Sequence, residues 1–229
     1  MGNESSAVAE KPPDAVMYYF GGRGRADQVR WLLAASRIHF GQVVIDTRAK
    51  FMELRERSLL FGQMPMLQID GLELVQSQSI LRYLARRSDL AGQNRDEEVQ
   101  ADMISEAIND LIMQLTSMPF VRNDPERLEV TKHSAREKFK VMGARFETIL
   151  EKNGGVFLVG NSLTYVDILM AHAITWYVEE LGPEILDNTP LLVGLQNGII
   201  SLPEIQGFIR SKKYYPVGDS SYARQVWKK

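Results

Sequence analysis

The chain has 229 residues, 45% hydrophobic and 24% charged, proportions that exclude collagen-like, disordered and low-complexity classes. Its formal net charge of −2 sets up no overall field to draw in nucleic acid or an anionic membrane. Cysteine is absent, which removes disulfides, thiolate zinc sites, iron–sulfur clusters and cysteine nucleophiles from consideration.

Residues 1–15 are polar, carry Pro12 and Pro13, and read as a flexible leader. Met1-Gly2 with Ser6 fits the N-myristoylation pattern, the alternative being a chance match in a polar tail. One acyl chain gives only reversible membrane binding. No apolar run reaches the ~18 residues of a spanning helix, and the N-terminus lacks a signal-peptide core. The expected location is cytoplasmic, with no membrane contact apart from acylation at Gly2.

Val16 to Phe20 is a five-residue apolar run stopped by Gly21-Gly22, a buried strand. A helix follows from Ala26 to Ala35, then a strand from Gln42 to Ile45 and a helix from Phe51 to Leu60. Met64-Pro65 opens a third strand, Met66 to Ile69. Asp70-Gly71 is a hairpin signal leading to a fourth, Leu72 to Val75. Ser77 or Ser79 can cap the next helix. The order β-α-β-α-β-β-α implies a parallel pair with an antiparallel edge. From about Asp96 the strand pattern is lost. Helical stretches run over Glu97–Met118, from Asp124-Pro125 towards Leu150, over Ile168–Val178 behind a Thr164–Asp167 capping box, and over Leu191–Ile200 and Pro203–Ile209. The prediction is an α/β domain over 16–92 followed by an all-α domain over 96–229.

Several chemistries lack their motifs. Gly21-Gly22-Arg23-Gly24 is not G-x-G-x-x-G, because Asp27 takes the third glycine's place. P-loop, H-E-x-x-H and G-x-S-x-G patterns are missing, and His39, His133 and His172 are scattered, so no metal site is expected. Three junctions stand out in the α/β domain. Tyr18 to Arg25 places tyrosines, a glycine turn and two arginines at a helix N-terminus, where N–H groups favour anions. At Gln63-Met64-Pro65, a proline before a strand often marks a cis bond and leaves the preceding main chain for a ligand. Gln76-Ser77 opens the last helix. Ligands of such sheets bind at strand–helix junctions. Taken singly, each has a plain alternative: aromatic core and a solvated turn, an edge-strand proline, an ordinary N-cap.

These residues resemble the cytosolic glutathione transferases. Tyr19-Phe20 with Arg23-Gly24-Arg25 and Arg30 to Ala35 looks like the alpha-class signature. Phe61 to Pro65, through Ile69-Asp70-Gly71 to Val75-Gln76-Ser77, matches the glutathione-binding pattern. Leu158 to Asn161 with Thr164 to Asp167 looks like the family's capping segment. Tyr177 to Leu181 and Leu202-Pro203 are also alpha-like, while Phe61 to Asp70 and Asp89 to Gly92 are equally similar to the sigma class.

The resemblance implies a thioredoxin-like N-terminal domain, an all-helical C-terminal domain and a homodimer that binds glutathione and a hydrophobic electrophile. Carried over by position, Tyr19 donates its hydroxyl to the glutathione sulfur and Arg25 supports the thiolate. Met64 pairs its main chain with glutathione beside cis-Pro65. Gln63, Gln76 and Ser77 hold the rest of the peptide. Arg55 stands near the place of a basic residue for the glycine carboxylate, one residue short in spacing. Asp110 reaches the partner's glutathione, and Phe61 is the aromatic key inserted into the other subunit. Phe20, Gly24, Phe120, Ala223 and Trp227 line the electrophile pocket, the last two from a C-terminal helix that covers it. The sequence departs from the alpha pattern at Val141, where an arginine stands in the family, and has no sigma-type tryptophan near Met52. Conjugation is the leading activity. Glutathione-dependent isomerisation or peroxide reduction, and a non-catalytic ligand-binding or structural role, are the alternatives on this fold.

Overall fold

The structure is a computed structural model that describes residues 12–218 and 220–227; the Gly2 acylation pattern lies outside them. Four strands form one mixed sheet: β1 (Ala15–Tyr19), β2 (Phe40–Val44), β3 (Met66–Ile69) and β4 (Leu72–Val75), in the order β2-β1-β3-β4. β1 runs parallel to β2 and antiparallel to β3, which turns back into β4. Helices α1 (Asp27–Ala35), α2 (Arg48–Arg57) and α3 (Ser77–Arg87) complete the βαβαββα unit, the thioredoxin-like arrangement the sequence predicts. β1 takes in Ala15, which pairs with Phe40 and Ile69, so the sheet starts one residue inside the expected leader.

The C-terminal part is helical: α4 (Arg95–Thr116), α5 (Met118–Val121), α6 (Pro125–Lys152), α7 (Tyr165–Leu181), α8 (Pro190–Ile200), α9 (Pro203–Ile209) and α10 (Ser220–Trp227). Helix α7 is apolar on nearly every side, the pattern of a helix enclosed by others, and it packs against α1, α4 and α8. Helix α1 buries Val29, Trp31, Leu32 and Leu33. Each such side chain contributes about 1.5–3 kcal/mol on leaving water.

Helix starts fix the positions that matter. Thr47 caps α2 by accepting from the Lys50 N–H, so the helix begins at Arg48, three residues before the apolar pattern shows it. α3 is preceded by Gln76 at φ +67°, not by a serine cap. The chain turns in that residue, and Ser77 becomes the first residue inside the helix. At α7 the Thr164–Asp167 capping box forms as predicted. The Asp167 carboxylate accepts from the Leu158 and Thr164 main-chain N–H groups, both at 2.8 Å, and from the Thr164 hydroxyl at 2.9 Å. Burial pushes its pKa up to about 6 despite those donors. Asp167→Ala leaves buried N–H groups unmatched at the start of the central helix, and should lower unfolding stability by about 2–3 kcal/mol in urea titrations.

Candidate active site

β1 delivers two tyrosines to opposite sides. Ala15, Met17 and Tyr19 face the buried side, while Val16 and Tyr18 are only half-buried, as strand alternation requires. The Tyr18 hydroxyl is spent on the Gln68 side chain of β3 at 2.8 Å. Tyr19 is the last residue of β1, and its ring comes to rest beneath the glycine turn that leads to α1. There its oxygen accepts the Arg25 main-chain N–H at 3.1 Å. Gly24, at φ +45°, leaves the room for this: a Cβ on it would lie 2.3 Å from Tyr19 Oη.

Tyr19 sits in a cleft of about 770 Å³ between the sheet domain and the helical domain. Phe20, Gly24 and Arg25 share its floor, and α2 supplies Arg48, Phe51, Met52 and Arg55. The segment Phe61-Gly62-Gln63-Met64 forms one rim. Gly62 closes over Arg55, whose Nε would be 3.2 Å from a Cβ there. The facing wall comes from Met113 and Thr116 of α4, Phe120 of α5, and Tyr222 and Val226 of α10. The cations Arg25, Arg48 and Arg55 thus come from the sheet domain, with Phe51, Met52, Phe61 and Met64 beside them, and face the largely apolar wall of the helical domain. Among the described residues, no acidic side chain lines the cleft.

The expected residues fall into three groups. Tyr19, Phe20, Gly24, Arg25, Arg55, Phe61, Gln63, Met64 and Phe120 come together in the cleft, and the Met64–Pro65 bond is cis. Gln76 stands just outside, its side chain donating to Gln63 Oε1 at 3.3 Å, with Ser77 behind it at the start of α3. Asp110 lies elsewhere on its own chain. It is exposed on α4, with Lys138 of α6 at 3.8 Å.

The tail helix brings in residues that the reading of the sequence does not name. Tyr222 and Val226 turn into the cleft, where Ala223 and Trp227 are expected. Ala223 is buried but is not a wall of the cleft; the side chain of Trp227 lies outside the described residues. Both pairs are spaced i, i+4, so both define a helix face; the pattern gives the amphipathic helix but not which neighbouring face turns inward. Arg48 was also missed, because its place depends on the Thr47 cap. At the positions where the chain departs from the alpha and sigma patterns, Val141 is exposed on α6 and Met52 lines the cleft.

The chain leading to α10 is strapped to both domains. Arg23 donates to the Tyr215 carbonyl at 2.7 Å, and Lys213 donates to the Phe40 carbonyl of β2. The Gln42 side chain donates to the Tyr215 hydroxyl. Arg122 donates to the Gly218 carbonyl while holding both oxygens of Glu180 at 2.6 Å. The cover is thus anchored before its helix begins.

Among the described residues no group of His, Asp or Glu gathers as metal ligands, and no helix is long and apolar enough to cross a membrane. Residues 15–86 match the glutathione S-transferase N-terminal domain family, and residues 109–212 match the family's C-terminal domain. Mouse glutathione S-transferase A4 is 35% identical over 96% of this chain and 97% of its own. Bovine glutathione S-transferase A2 is 37% identical over 89% of each. The solved structure of NaGST-2 superposes with a TM-score of 0.73 at 29% identity, over 87% of this chain and 97% of that one. With both of its domains matched and its full-length relatives enzymes of one kind, the chain belongs to the glutathione S-transferase family, with alpha-class enzymes among its relatives.

Proposed function

We propose that this enzyme conjugates glutathione to hydrophobic electrophiles in the cytosol, with Tyr19 holding the glutathione sulfur as thiolate. The observation that carries this reading is the Tyr19 hydroxyl, braced by the Arg25 N–H at 3.1 Å, in a cleft between the cations of the sheet domain and the largely apolar wall of the helical domain. A free thiol ionises near pH ~8.5, so only a few per cent is thiolate at pH 7. Lowering that value by about two units takes roughly 2.7 kcal/mol. One charge-assisted hydrogen bond from Tyr19 with the nearby Arg25 charge is of this size. Glutathione bound as thiolate carries a net negative charge. Arg25, Arg48 and Arg55, with no acid among the described lining residues, favour that state over the thiol. Arg55, Gln63, the Met64 main chain beside Pro65, Gln76 and Ser77 hold the peptide. The apolar wall of Phe20, Met113, Phe120 and Val226 receives the electrophile.

The test is the steady-state rate of glutathione addition to an aryl halide, beside calorimetric glutathione binding. Turnover with binding supports the reading. Glutathione binding without turnover, across several electrophiles, reassigns the chain to a ligand carrier.

We propose a homodimer in which Phe61 is the key and Asp110 reaches the neighbouring site. Phe61 is 62% exposed and adjoins Leu60 at 78%, an apolar pair that a lone subunit leaves in water. Sedimentation velocity should give about twice the 26.0 kDa chain mass. Phe61→Glu should give the chain mass. A wild-type monomer would remove both assignments.

A further inference from the structure

Tyr222 of α10 reaches the same point in the cleft as Tyr19, from the far end of the chain. The two hydroxyl oxygens lie 3.4 Å apart across 203 residues of sequence. The ring of Tyr222 is built into the floor. A Cβ on Gly22 would stand 2.2 Å from its Cδ2, and one on Gly24 would stand 2.4 Å from its Oη. Its ring also faces Phe120, with centroids 6.4 Å apart, and the residue is 7% exposed.

The valence of the Tyr19 oxygen decides what Tyr222 does there. A phenol oxygen has one proton to give and two lone pairs. The Arg25 N–H occupies one lone pair of Tyr19. With thiolate in the cleft, the Tyr19 proton is committed to sulfur. The remaining lone pair faces Tyr222 Oη, which in that state can only be the donor. Burial raises the Tyr222 pKa far above the ordinary phenol range, a shift that Tyr19 adds to and the Arg30 charge opposes. Tyr222 therefore keeps the proton it has to give.

We propose that Tyr222 is a positioning residue for thiol activation: its hydroxyl donates to Tyr19 Oη and so directs and strengthens the Tyr19 hydrogen bond to sulfur. Hydrogen bonds in such a chain polarise one another, and the effect is larger where water is excluded. The proposal rests on the reading of Tyr19 as the sulfur's donor.

Tyr222→Phe separates this role from covering the cleft, because it keeps the ring against Gly22 and Phe120 and deletes only the hydroxyl. The experiment titrates the glutathione thiol in the binary complex by thiolate ultraviolet absorption, in wild type, Tyr222→Phe, Tyr19→Phe and the double variant. Loss of one hydrogen bond should raise the bound thiol pKa of Tyr222→Phe by about 0.5–1 unit, with about three- to tenfold less thiolate below that pKa. Below that pKa, where the thiol form dominates in both, the glutathione KM should stay unchanged. In the Tyr19→Phe background the second substitution should add nothing. An unchanged pKa in Tyr222→Phe, with a raised one in Tyr19→Phe, leaves Tyr222 as a cover only and overturns the proposal. An equal rise in both backgrounds also overturns it, since Tyr222 then bonds the sulfur directly. If Tyr19→Phe itself leaves the pKa unmoved, the underlying reading of Tyr19 falls, and the proposal with it.

Discussion

Tyr19→Phe should lower kcat/KM for glutathione addition by about ten- to a hundredfold, with an unfolding midpoint close to that of the parent. The size follows from one hydrogen bond to an anion, worth about 1.5–3 kcal/mol, at 1.36 kcal/mol per decade of rate. Stability is spared because the ring, which carries the burial and stands 5.1 Å from the Phe20 ring centroid, stays in place. The Arg25 N–H loses its acceptor, but it lies at the cleft, where water can replace the phenol oxygen. The pH–rate profile gives a sharper reading than the rate at one pH. The alkaline rise of kcat/KM should shift upward as the bound thiol returns towards its solution value. Full activity with an unshifted profile would move the role to the charge of Arg25.

The largest effect on stability should come from Asp27→Ala. Asp27 is fully buried at the start of α1. Its carboxylate lies 3.1 Å from His172 Nε2 on α7, 3.3 Å from Arg30 Nη1 and 4.0 Å from Arg23 Nε. Removing the anion takes from the buried Arg30 guanidinium and from His172 the carboxylate they share where the two domains meet, while Arg23 keeps its ion pair with Glu179. Breaking a buried ion pair in this way costs about 3–5 kcal/mol, a large part of the 5–15 kcal/mol typical of a whole domain. Urea unfolding at pH 7 measures it directly. Acid adds a signature. Burial alone pushes the Asp27 carboxyl up, but the His172 hydrogen bond and charge, with Arg30 and Arg23, outweigh it and hold the pKa below the ordinary value. Such a group contributes its full stabilisation above the unfolded carboxylate pKa of about 3.9 and loses it as pH falls through the folded value. Below about pH 4 the wild-type stability should therefore fall more steeply than that of Asp27→Ala. Parallel acid limbs would show that Asp27 is not the titrating anion.

Much of this was legible in the sequence because it rests on short-range rules. The third and fourth strands follow from the Met64-Pro65 opening and the Asp70-Gly71 turn, and Met66–Ile69 and Leu72–Val75 form where expected. Pro203–Ile209 likewise keeps its predicted bounds. The alternation of β1 sets Tyr18 and Tyr19 on opposite faces, and the choice of Tyr19 comes from the resemblance, whose motif has the tyrosine immediately before Phe20. What escaped depends on a cap that the apolar pattern does not show or on distant parts of the chain. Arg48 enters the cleft because Thr47 caps α2 early. Tyr222 lies 203 residues from Tyr19, and the chain before its helix is held by Arg23 at the Tyr215 carbonyl and Arg122 at the Gly218 carbonyl. Asp27 read as a missing glycine in a nucleotide-binding motif. Its actual partner, His172, is 145 residues away, beyond the reach of any local pattern.

The glycine turn carries a constraint that runs to the other end of the gene. Gly24 has a backbone conformation that favours glycine, at φ +45°, but Gly22 is not in that region. What keeps a side chain off Gly22 is the ring of Tyr222, 2.2 Å from where a Cβ would be. Gly218, just before the tail helix, is hemmed in by Pro119 in the same way, at 2.9 Å. The turn and the tail are therefore sterically coupled. A homologue that loses its tail frees Gly22 to drift, and one that gains a side chain at Gly22 must first give up the aromatic ring at Tyr222.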